Sequence, residues 1–375
     1  MNILILNSIG KRKWGGGEKW MMLAAKELNQ LGHTVYLGCR KNSLIQEKAN
    51  TSNLSVVNIP IYTDFSIRGI AGLWKAVEKF KIDVIIACQN RDVRVAGFYR
   101  LLSRKNKPLL IARQGIERIH NTWKYRFTFT RLCDAIITNT ASLKEKYDSY
   151  GWWDSNYVKV IHNGTEISSV ACQPLELRSW FNFQKTDNPI IVTTTCRLAK
   201  QKNIDLLIDA AAEVIAQNNN YYFVVAGEGS ERNQLQKKID SHGIGLHFKL
   251  VGFISDINPL LESSDIFVLP SAYEGMSNSI IEAMMAKLPV ICSAVNGAKE
   301  LIENRKNGLL FAHNDKKELT SHLIYLGNQA LRKELGENAY QTITKEFTST
   351  IMAKNYEQHI NYLLSKKMIN QSRCS

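Results

Sequence analysis

The sequence predicts an α/β protein made of two doubly wound domains, each a parallel sheet covered by helices on both faces. Short apolar, β-branched runs alternate with longer helical patterns, and this alternation stops once and then restarts. A chain of 375 residues is long enough for two or three domains of ordinary size.

The first half contains apolar runs of the length expected for buried parallel strands. They are residues 3–7, 34–37, 56–59, 84–87, 109–112, 135–138 and 158–161. Between the first two, apolar residues recur at helical spacing from Gly17 to Leu31, and Gly32 follows where a helix commonly ends in glycine. The unit is therefore strand, loop, helix, strand.

The second half repeats this pattern after residues 165–188, which lack periodicity and are expected to connect two domains. Strands are predicted at 190–195, 222–226, 248–251, 266–269, 290–292 and 309–311, with helical patterns such as 204–217 and 319–326 between them. The predicted domains are 1–167 and 168–348. Residues 349–375 are expected to form an amphipathic helix, to about 364, and a frayed tail that can pack back on the first domain.

The composition excludes several classes of protein. Hydrophobic residues make up 45% and charged residues 22%, as in ordinary globular chains. The seven cysteines contain no C-x-x-C pair, so neither a disulfide framework nor a zinc site is indicated. The first apolar stretch is too short for a signal peptide, and no run of 18 apolar residues follows. We expect a cytoplasmic protein.

The net charge of +14 is unevenly distributed. Residues 1–167 hold 26 Lys and Arg against 13 Asp and Glu, whereas residues 168–375 hold 22 against 21. The first half is therefore expected to meet an anionic partner, with a basic surface that only confers solubility as the alternative.

Loops at the carboxyl ends of the strands are the places to search for ligand sites. After the first strand, Gly15, Gly16 and Gly17 precede a helix, where backbone N–H groups can approach an anion. This loop is neither G-x-G-x-x-G nor a P-loop, and Arg40 stands where a dinucleotide site would place an acidic residue. A purely structural turn is an equal alternative.

Two loops of the second half carry charged residues: a pair of cations suited to a diphosphate, and a pair of glutamates able to face one cleft. Arg197 and Lys202 follow the strand 190–195, where they are either phosphate ligands or solvated cations. After the strand 266–269, Glu274 lies in a loop and Glu282 in a helix that Ser277 or Asn278 can cap. The small residues around the two glutamates favour a functional loop over an ordinary surface.

Taken together, these segments resemble the family 4 glycosyltransferases. The strongest match is E-G-x-S-N-S-x-x-E-A-M-x-A-x-x-P-V at residues 274–290, which carries the paired-glutamate motif of that family. Around it, in the family's order, are residues 15–18, 161–164, 197–202, 226–229, 251–253 and 297–302. The resemblance covers nearly the whole chain and implies two Rossmann-like domains facing each other across a cleft, the GT-B architecture. It implies a retaining, metal-independent, hexosyltransferase-type enzyme that takes a nucleotide-diphospho-sugar such as a UDP-sugar and needs no cofactor.

The resemblance also implies a role for each residue of the motifs. Glu282 is expected to bind the ribose hydroxyls and Glu274 to lie beside the donor sugar, while Arg197 and Lys202 hold the diphosphate. We expect Glu274, Lys202 and Arg197 to be the catalytic residues. The remaining donor contacts are expected from amides at Ser277, Asn278 and Ser279, from loops that flank the base at Gly227, Gly229 and Phe253, and from Gly15, Gly16 and Gly17 closing over the donor.

The chain departs from the family pattern at three positions. Arg113 stands where many members carry a histidine, so no histidine is assigned a catalytic role. Cys196 replaces the glycine that commonly precedes the family's arginine, and Gly297 stands alone where two glycines are often found.

The acceptor is expected on the basic N-terminal domain. Basic and aromatic residues are interleaved over residues 98–131, as on surfaces that meet anionic lipid. This pattern predicts peripheral docking on the inner membrane face and a lipid-linked, lipopolysaccharide-type or capsule-type glycan acceptor. The alternative places these aromatics in the core of one or two helices.

Other functions fit the sequence less well. A nucleotide-sugar epimerase or a phosphorylase could share the fold, but the second would carry a pyridoxal phosphate lysine for which the sequence holds no marker. A nucleic-acid-binding protein would use the positive charge, but no nucleic-acid motif is present, and no nucleic acid is expected as a partner.

Overall fold

The computed structural model describes residues 1–103, 107–167, 173, 175–181 and 188–372. It divides into two compact units, one formed by residues 1–166 with 349–375 and the other by residues 167–348. Each unit is a parallel sheet with helices on both faces, so the predicted fold class is confirmed.

The first unit alternates strands and helices. Its strands are β1 (Asn2–Leu6), β2 (Thr34–Cys39), β3 (Ser55–Asn58), β4 (Val84–Ala87), β5 (Leu109–Gln114), β6 (Ala135–Thr138) and β7 (Val158–Val160). Its helices up to this point are α1 (Gly16–Gln30), α2 (Leu44–Thr51), α3 (Ile67–Phe80), α4 (Asn90–Leu102), α5 (Trp123–Phe127), which continues as a π-helical turn to Leu132, and α6 (Ala141–Asp148). In the described residues the sheet order is β3-β2-β1-β4-β5-β6-β7.

The second unit begins with α7 (Arg178–Phe181), inside the stretch expected to be a connection. Its strands are β8 (Ile190–Thr195), β9 (Tyr221–Ala226), β10 (Phe248–Gly252), β11 (Ile266–Leu269), β12 (Val290–Ser293) and β13 (Leu309–Phe311). Its further helices are α8 (Ile204–Gln217), α9 (Arg232–Ser241), α10 (Asn258–Glu262), α11 (Asn278–Met285), α12 (Asn296–Lys299), α13 (Lys316–Tyr325) and α14 (Gln329–Glu346). Its sheet order is β10-β9-β8-β11-β12-β13.

The pattern of burial explains both sheets. In β1, Ile3 and Ile5 pack with one layer of helices while Leu4 and Leu6 pack with the other. A strand buried on both faces needs apolar residues at successive positions, and this is why the strands are continuous apolar runs. Gly32 has a φ of 85° just after α1, as expected for the residue that ends a helix.

The last helix, α15 (Ser349–Ser372), belongs to the first unit. Met352, Tyr356 and Ile360 are buried against α1, and the Trp20 and Tyr356 ring centroids are 5.4 Å apart. The helix runs past residue 364, where fraying was expected, and Lys367 Nζ donates to Lys107 O at 2.7 Å. Residues 373–375 lie outside the described residues.

Among the described residues, no helix combines the length and the apolar character that crossing a membrane requires.

Candidate functional site

The strand order of the second unit determines where its ligand site should lie. The order reverses between β8 and β11, because β8 connects to β9 on one side and β11 to β12 on the other. Loops leaving two such neighbouring strands diverge and open a crevice at their carboxyl ends. Arg197 and Lys202 follow β8, and Glu274 and Glu282 follow β11.

The loop after β8 is held close to the loop after β9 by backbone hydrogen bonds. Cys196 N donates to Ala226 O at 3.0 Å, and Leu198 N donates to Glu228 O at 3.0 Å. A Cβ atom at Gly227 would lie 1.7 Å from Cys196 O, and one at Gly229 would lie 2.0 Å from Leu198 O. Both positions therefore require glycine, and Gly227, with a φ of 152°, also has a backbone conformation that suits glycine.

The centre of the site is a contact between the loops after β8 and β11. Lys202 Nζ donates a hydrogen bond to Glu274 Oε1, which also accepts one from Ser271 Oγ at 2.7 Å. The side chains of Lys202 and Glu274 are only 16% and 11% exposed. Two further bonds join the loops: Ala272 N donates to Gln201 O at 2.8 Å, and Gln201 Nε2 donates to Tyr273 O at 2.7 Å.

The second cation, Arg197, is exposed but belongs to the same electrostatic environment. Burial raises the pKa of the Cys196 thiol to about 12, and the charges of Lys202, Glu274 and Arg197 all act on that thiol. All three charged groups therefore act on the same thiol at the end of β8. Cys196 itself stays a neutral thiol at physiological pH.

Helix α11 brings Glu282 to this end of the sheet. Ser277 occupies the N-cap position and the helix ends at Met285, as predicted, but the Ser277 side chain accepts no capping hydrogen bond. Ser279 Oγ instead donates to Thr195 O at 2.8 Å and fixes the first turn against the end of β8. Ser277 is buried, Asn278 and Glu282 are partly exposed, and Glu282 lies one turn beyond Ser279.

The loop after β10 adds one exposed aromatic residue. Gly227 N donates to Gly252 O at 2.7 Å, which holds the ends of β9 and β10 together. Phe253 follows immediately and is 70% exposed. An exposed ring at the edge of a loop of this kind can stack on a planar ligand.

Sequence reasoning missed several polar residues that hold these loops. Ser293 Oγ donates to Ser271 O, and Ser271 in turn positions Glu274. In the described part of the chain, Thr195 Oγ1 is buried with no hydrogen-bond partner, next to the site. The sequence could have indicated them, because Thr195, Ser271 and Ser293 are all polar residues at or just beyond the end of an apolar strand.

The three glycines of the first loop lie in the other unit, at the carboxyl end of β1. Gly15 precedes α1 with extended backbone, but Gly16 and Gly17 form the helix's first turn, so the expectation of a three-glycine loop is wrong. A Cβ atom at Gly17 would approach no atom closer than 3.9 Å, to Arg113. Packing therefore does not require glycine at position 17, because a Cβ atom would meet no close neighbour there.

Arg113 occupies a buried position in the first unit. Its guanidinium lies 4.3 Å from the centre of the Trp20 ring and donates to Asn163 Oδ1 at 2.9 Å. Both partners are neutral, so the arginine is held in place by stacking and hydrogen bonding.

The basic and aromatic segment 98–131 is divided between core and surface. Tyr99 and Phe129 are fully buried, as the core alternative predicts. Leu101, Leu102 and Trp123 are 60%, 63% and 82% exposed. Arg104 and Lys105 lie outside the described residues. Part of the segment is therefore available as a surface.

Metal ligands are not grouped in the described part of the chain, where no three His, Cys, Asp or Glu side chains lie together as a metal site would require.

Two family models match the chain, one to each half. Residues 14–169 match Glycosyltransferase Family 4, and residues 178–342 match Glycosyl transferases group 1. A relative from Escherichia coli, UDP-Gal:alpha-D-GlcNAc-diphosphoundecaprenol alpha-1,3-galactosyltransferase, is 32% identical over 312 residues, which is 77% of this chain and 77% of that protein.

Two further proteins show the range of the similarity. The Poly(ribitol-phosphate) alpha-N-acetylglucosaminyltransferase of Staphylococcus aureus is 29% identical over 56% of this chain, and the match spans 47% of that longer protein. The crystal structure of Anabaena HepE in complex with UDP superposes with a TM-score of 0.83, at 20% identity, over 96% of this chain and 100% of that one. This likeness confirms the predicted GT-B fold. With paired glutamates, a lysine and an arginine at the ends of β8 and β11 and two matching family models, the chain belongs to glycosyltransferase family 4, the glycosyl transferases group 1.

Proposed function

We propose that the protein is a retaining glycosyltransferase that moves a hexose from a nucleotide-diphospho-sugar to a hydroxyl group of a lipid-linked, lipopolysaccharide-type or capsule-type glycan. The observation that carries this proposal is the contact of Lys202 with Glu274 at the point where the strand order reverses. The Escherichia coli relative is named for galactosyl transfer from UDP-Gal to a GlcNAc-diphosphoundecaprenol, and the Staphylococcus aureus relative for N-acetylglucosaminyl transfer to poly(ribitol-phosphate).

The charges near the end of β8 suit a departing diphosphate. As the bond between the sugar and the phosphate breaks, negative charge grows on the leaving nucleotide. The positive charges of Lys202 and Arg197 are already in position before this negative charge develops. Fixed charges in a partly buried site stabilise a transition state more than mobile solvent does. Amides of Ser277, Asn278 and Ser279, at the start of α11, add partial positive charge.

The carboxylates have different roles in this proposal. Glu274 is fixed by Lys202 and Ser271, so one oxygen is occupied and the other is available to a hydroxyl of the donor sugar. Glu282 accepts hydrogen bonds from the ribose hydroxyls. Gly227, Gly229 and Phe253 flank the base.

The reaction needs neither a metal ion nor a cofactor in this proposal. The acceptor oxygen attacks the anomeric carbon from the face that the nucleotide leaves, so the configuration of that carbon is kept. One carbon–oxygen bond forms and the bond to the diphosphate breaks. The acceptor's proton passes to an oxygen of the departing phosphate, and Lys202 and Arg197 stabilise the remaining charge.

The acceptor binds the first unit, which holds the excess of positive charge. Exposed Trp123 and Phe65, 82% and 69% accessible, lie among basic residues and can enter the surface of an anionic membrane. The protein then acts in the cytoplasm as a peripheral enzyme of the inner membrane face. Sedimentation with phosphatidylglycerol vesicles tests this: Trp123→Ser should reduce binding, whereas Leu246→Ser, an equally exposed apolar residue of the second unit, should not.

The donor site is tested by thermal stabilisation with a panel of UDP-, GDP- and ADP-sugars. One nucleotide class should raise the melting temperature of the wild-type protein. Glu282→Ala should weaken that binding by about tenfold to a hundredfold, the scale of losing a hydrogen bond to a charged group. Glu262→Ala is the control, because Glu262 is an exposed glutamate of the same unit. If no nucleotide sugar stabilises the protein, the proposal is wrong.

The epimerase alternative is not favoured, because the relatives are named as transferases.

A further inference from the structure

The first unit contains a cavity of about 380 Å³ that the donor site does not use. It lies at the start of α4 and beside the segment between β5 and α5, and its lining is polar or aromatic. Its cations are Arg91, Arg94 and Arg118, its acids are Asp64 and Glu117, and its other lining residues are Gln89, Asn90, His120 and Tyr125. Its volume is within the roughly 300–1,000 Å³ of small-molecule sites. We call it the arginine cavity.

Only part of the positive charge in the arginine cavity is balanced. Asp64 Oδ2 lies 2.7 Å from Arg94 Nη1 and 2.9 Å from Lys124 Nζ. This single negative charge is therefore shared between two cations and balances neither of the other two arginines. Arg91 donates to Tyr62 O at 3.2 Å, and Arg118 donates to Gln89 Oε1 at 2.9 Å. Within the described residues, neither Arg91 nor Arg118 has a carboxylate within 4.0 Å. Both guanidinium groups are held in place by neutral acceptors, so their positive charges are not balanced by an ion pair.

A fourth arginine increases the excess. Arg40 donates to Ile61 O at 2.8 Å and stacks on the Tyr62 ring at 4.7 Å, next to the carbonyl that Arg91 contacts. Burial lowers the pKa of Arg40, and the charge of Arg91 lowers it further. Like charges kept this close favour an anionic ligand, because the ligand relieves their repulsion.

Apolar side chains lie beside the arginine cavity. Phe65 follows Asp64 in the chain, is 69% exposed, and stacks on Phe98 with ring centroids 5.2 Å apart. Trp123 precedes Lys124, the other partner of Asp64, and is 82% exposed. A ligand with an anionic head and an apolar tail can use both features.

We propose that the arginine cavity binds the diphosphate of a prenyl-diphosphate-linked acceptor, with the prenyl chain leaving along Phe65 and Trp123. This rests on the proposed function, since it names the chemical class of the acceptor. The planar forks of Arg91 and Arg118 present paired N–H donors to phosphate oxygens, a geometry that arginine provides and lysine does not.

Calorimetric titration with geranyl diphosphate tests the proposal. Wild-type protein should bind it, and Arg91→Gln and Arg118→Gln should each weaken binding at least tenfold, the scale of losing a charge-assisted contact. Arg131→Gln should leave the affinity unchanged, because Arg131 is exposed in the same unit and does not line the cavity. The two variants alter separate segments, so a folding defect in one leaves the other informative.

Two further ligands identify which part of the molecule is recognised. Geraniol should bind weakly, since it lacks the anion. Inorganic pyrophosphate should bind at least tenfold more weakly than geranyl diphosphate; equal affinity would overturn the lipid assignment. A loss of geranyl diphosphate binding in Arg197→Gln but not in Arg91→Gln or Arg118→Gln would place the anion in the second unit and overturn the proposal.

A separate titration with the nucleotide sugar distinguishes this inference from the donor proposal. Arg91→Gln should bind the nucleotide sugar like the wild-type protein. Failure of the nucleotide sugar to bind at all would contradict the proposed function, whereas failure of geranyl diphosphate alone would contradict only the assignment of the arginine cavity.

Discussion

Replacing Lys202 by methionine removes one charge from the proposed donor site and keeps most of the side-chain volume. Lys202 is 16% exposed, so a developing phosphate charge near its Nζ is only weakly screened. Two unit charges about 4 Å apart interact by roughly 4 kcal/mol at an effective dielectric constant of about 20. Because only part of a charge develops in the transition state, we expect turnover to fall by about 10²- to 10³-fold, or roughly 2.7–4 kcal/mol.

The same substitution should have a smaller effect on folding. Glu274 loses its cation but keeps the hydrogen bond from Ser271, and it retains some contact with solvent. Breaking a fully buried pair costs about 3–5 kcal/mol, so we expect roughly 2 kcal/mol here. Urea unfolding measures this change separately from kcat and KM.

Lys200→Met is the matched control, because Lys200 is an exposed lysine of the same short turn. It should retain most of the wild-type turnover. The reasoning is refuted if Lys202→Met keeps more than a tenth of wild-type turnover, or if Lys200→Met loses as much.

Three other substitutions test the structure. Burial raises the pKa of Asp92 from 3.8 to about 7. Between these two values the folded protein keeps a proton on Asp92 that the unfolded chain has lost. The free energy of unfolding therefore falls by up to about 4 kcal/mol as the pH rises from about 4 to 7. The difference in unfolding free energy between Asp92→Asn and the wild type, measured in urea, should therefore change in favour of the variant as the pH rises from 4 to 8. A difference that stays constant over this range contradicts the raised pKa of Asp92. Gly229→Ala should weaken nucleotide-sugar binding at least tenfold by displacing the Leu198 carbonyl, which calorimetry measures. Glu27→Ala should destabilise the first unit by about 2–4 kcal/mol in urea, because it removes the buried acceptor of hydrogen bonds from Ser349 at 2.7 Å and Thr350 at 3.0 Å. An unchanged midpoint would show that these bonds do not hold α15.

The strands could be predicted because their signal is local. Runs such as 190–195 and 266–269 are apolar at every position, and the structure places β8 and β11 at these bounds. The order of the strands is not local, but the alternation of strand and helix restricts parallel sheets to a few arrangements. Sequence reasoning therefore identified the fold and the loops in which a site could form.

The contacts within the site could not be predicted in the same way. Lys202 and Glu274 are 72 positions apart, and their hydrogen bond depends on how two loops meet. Motif resemblance named both residues, but it did not name Ser271 or Gln201, which fix the loops to each other. Similarly, spacing alone could not separate buried Phe129 from exposed Trp123, because that difference depends on which face of each helical turn meets the sheet.

The return of α15 to the first unit has a consequence for biosynthesis. Met352, Tyr356 and Ile360 fill a layer whose members outside α15 lie in the first 161 residues. During translation the sheet of that unit emerges early, yet its outer layer stays open until residues 349–372 have left the ribosome. The second unit is continuous in sequence and can complete its own core first. A nascent chain halted before residue 349 should therefore expose the face of α1 and recruit chaperones, while its second unit is already folded.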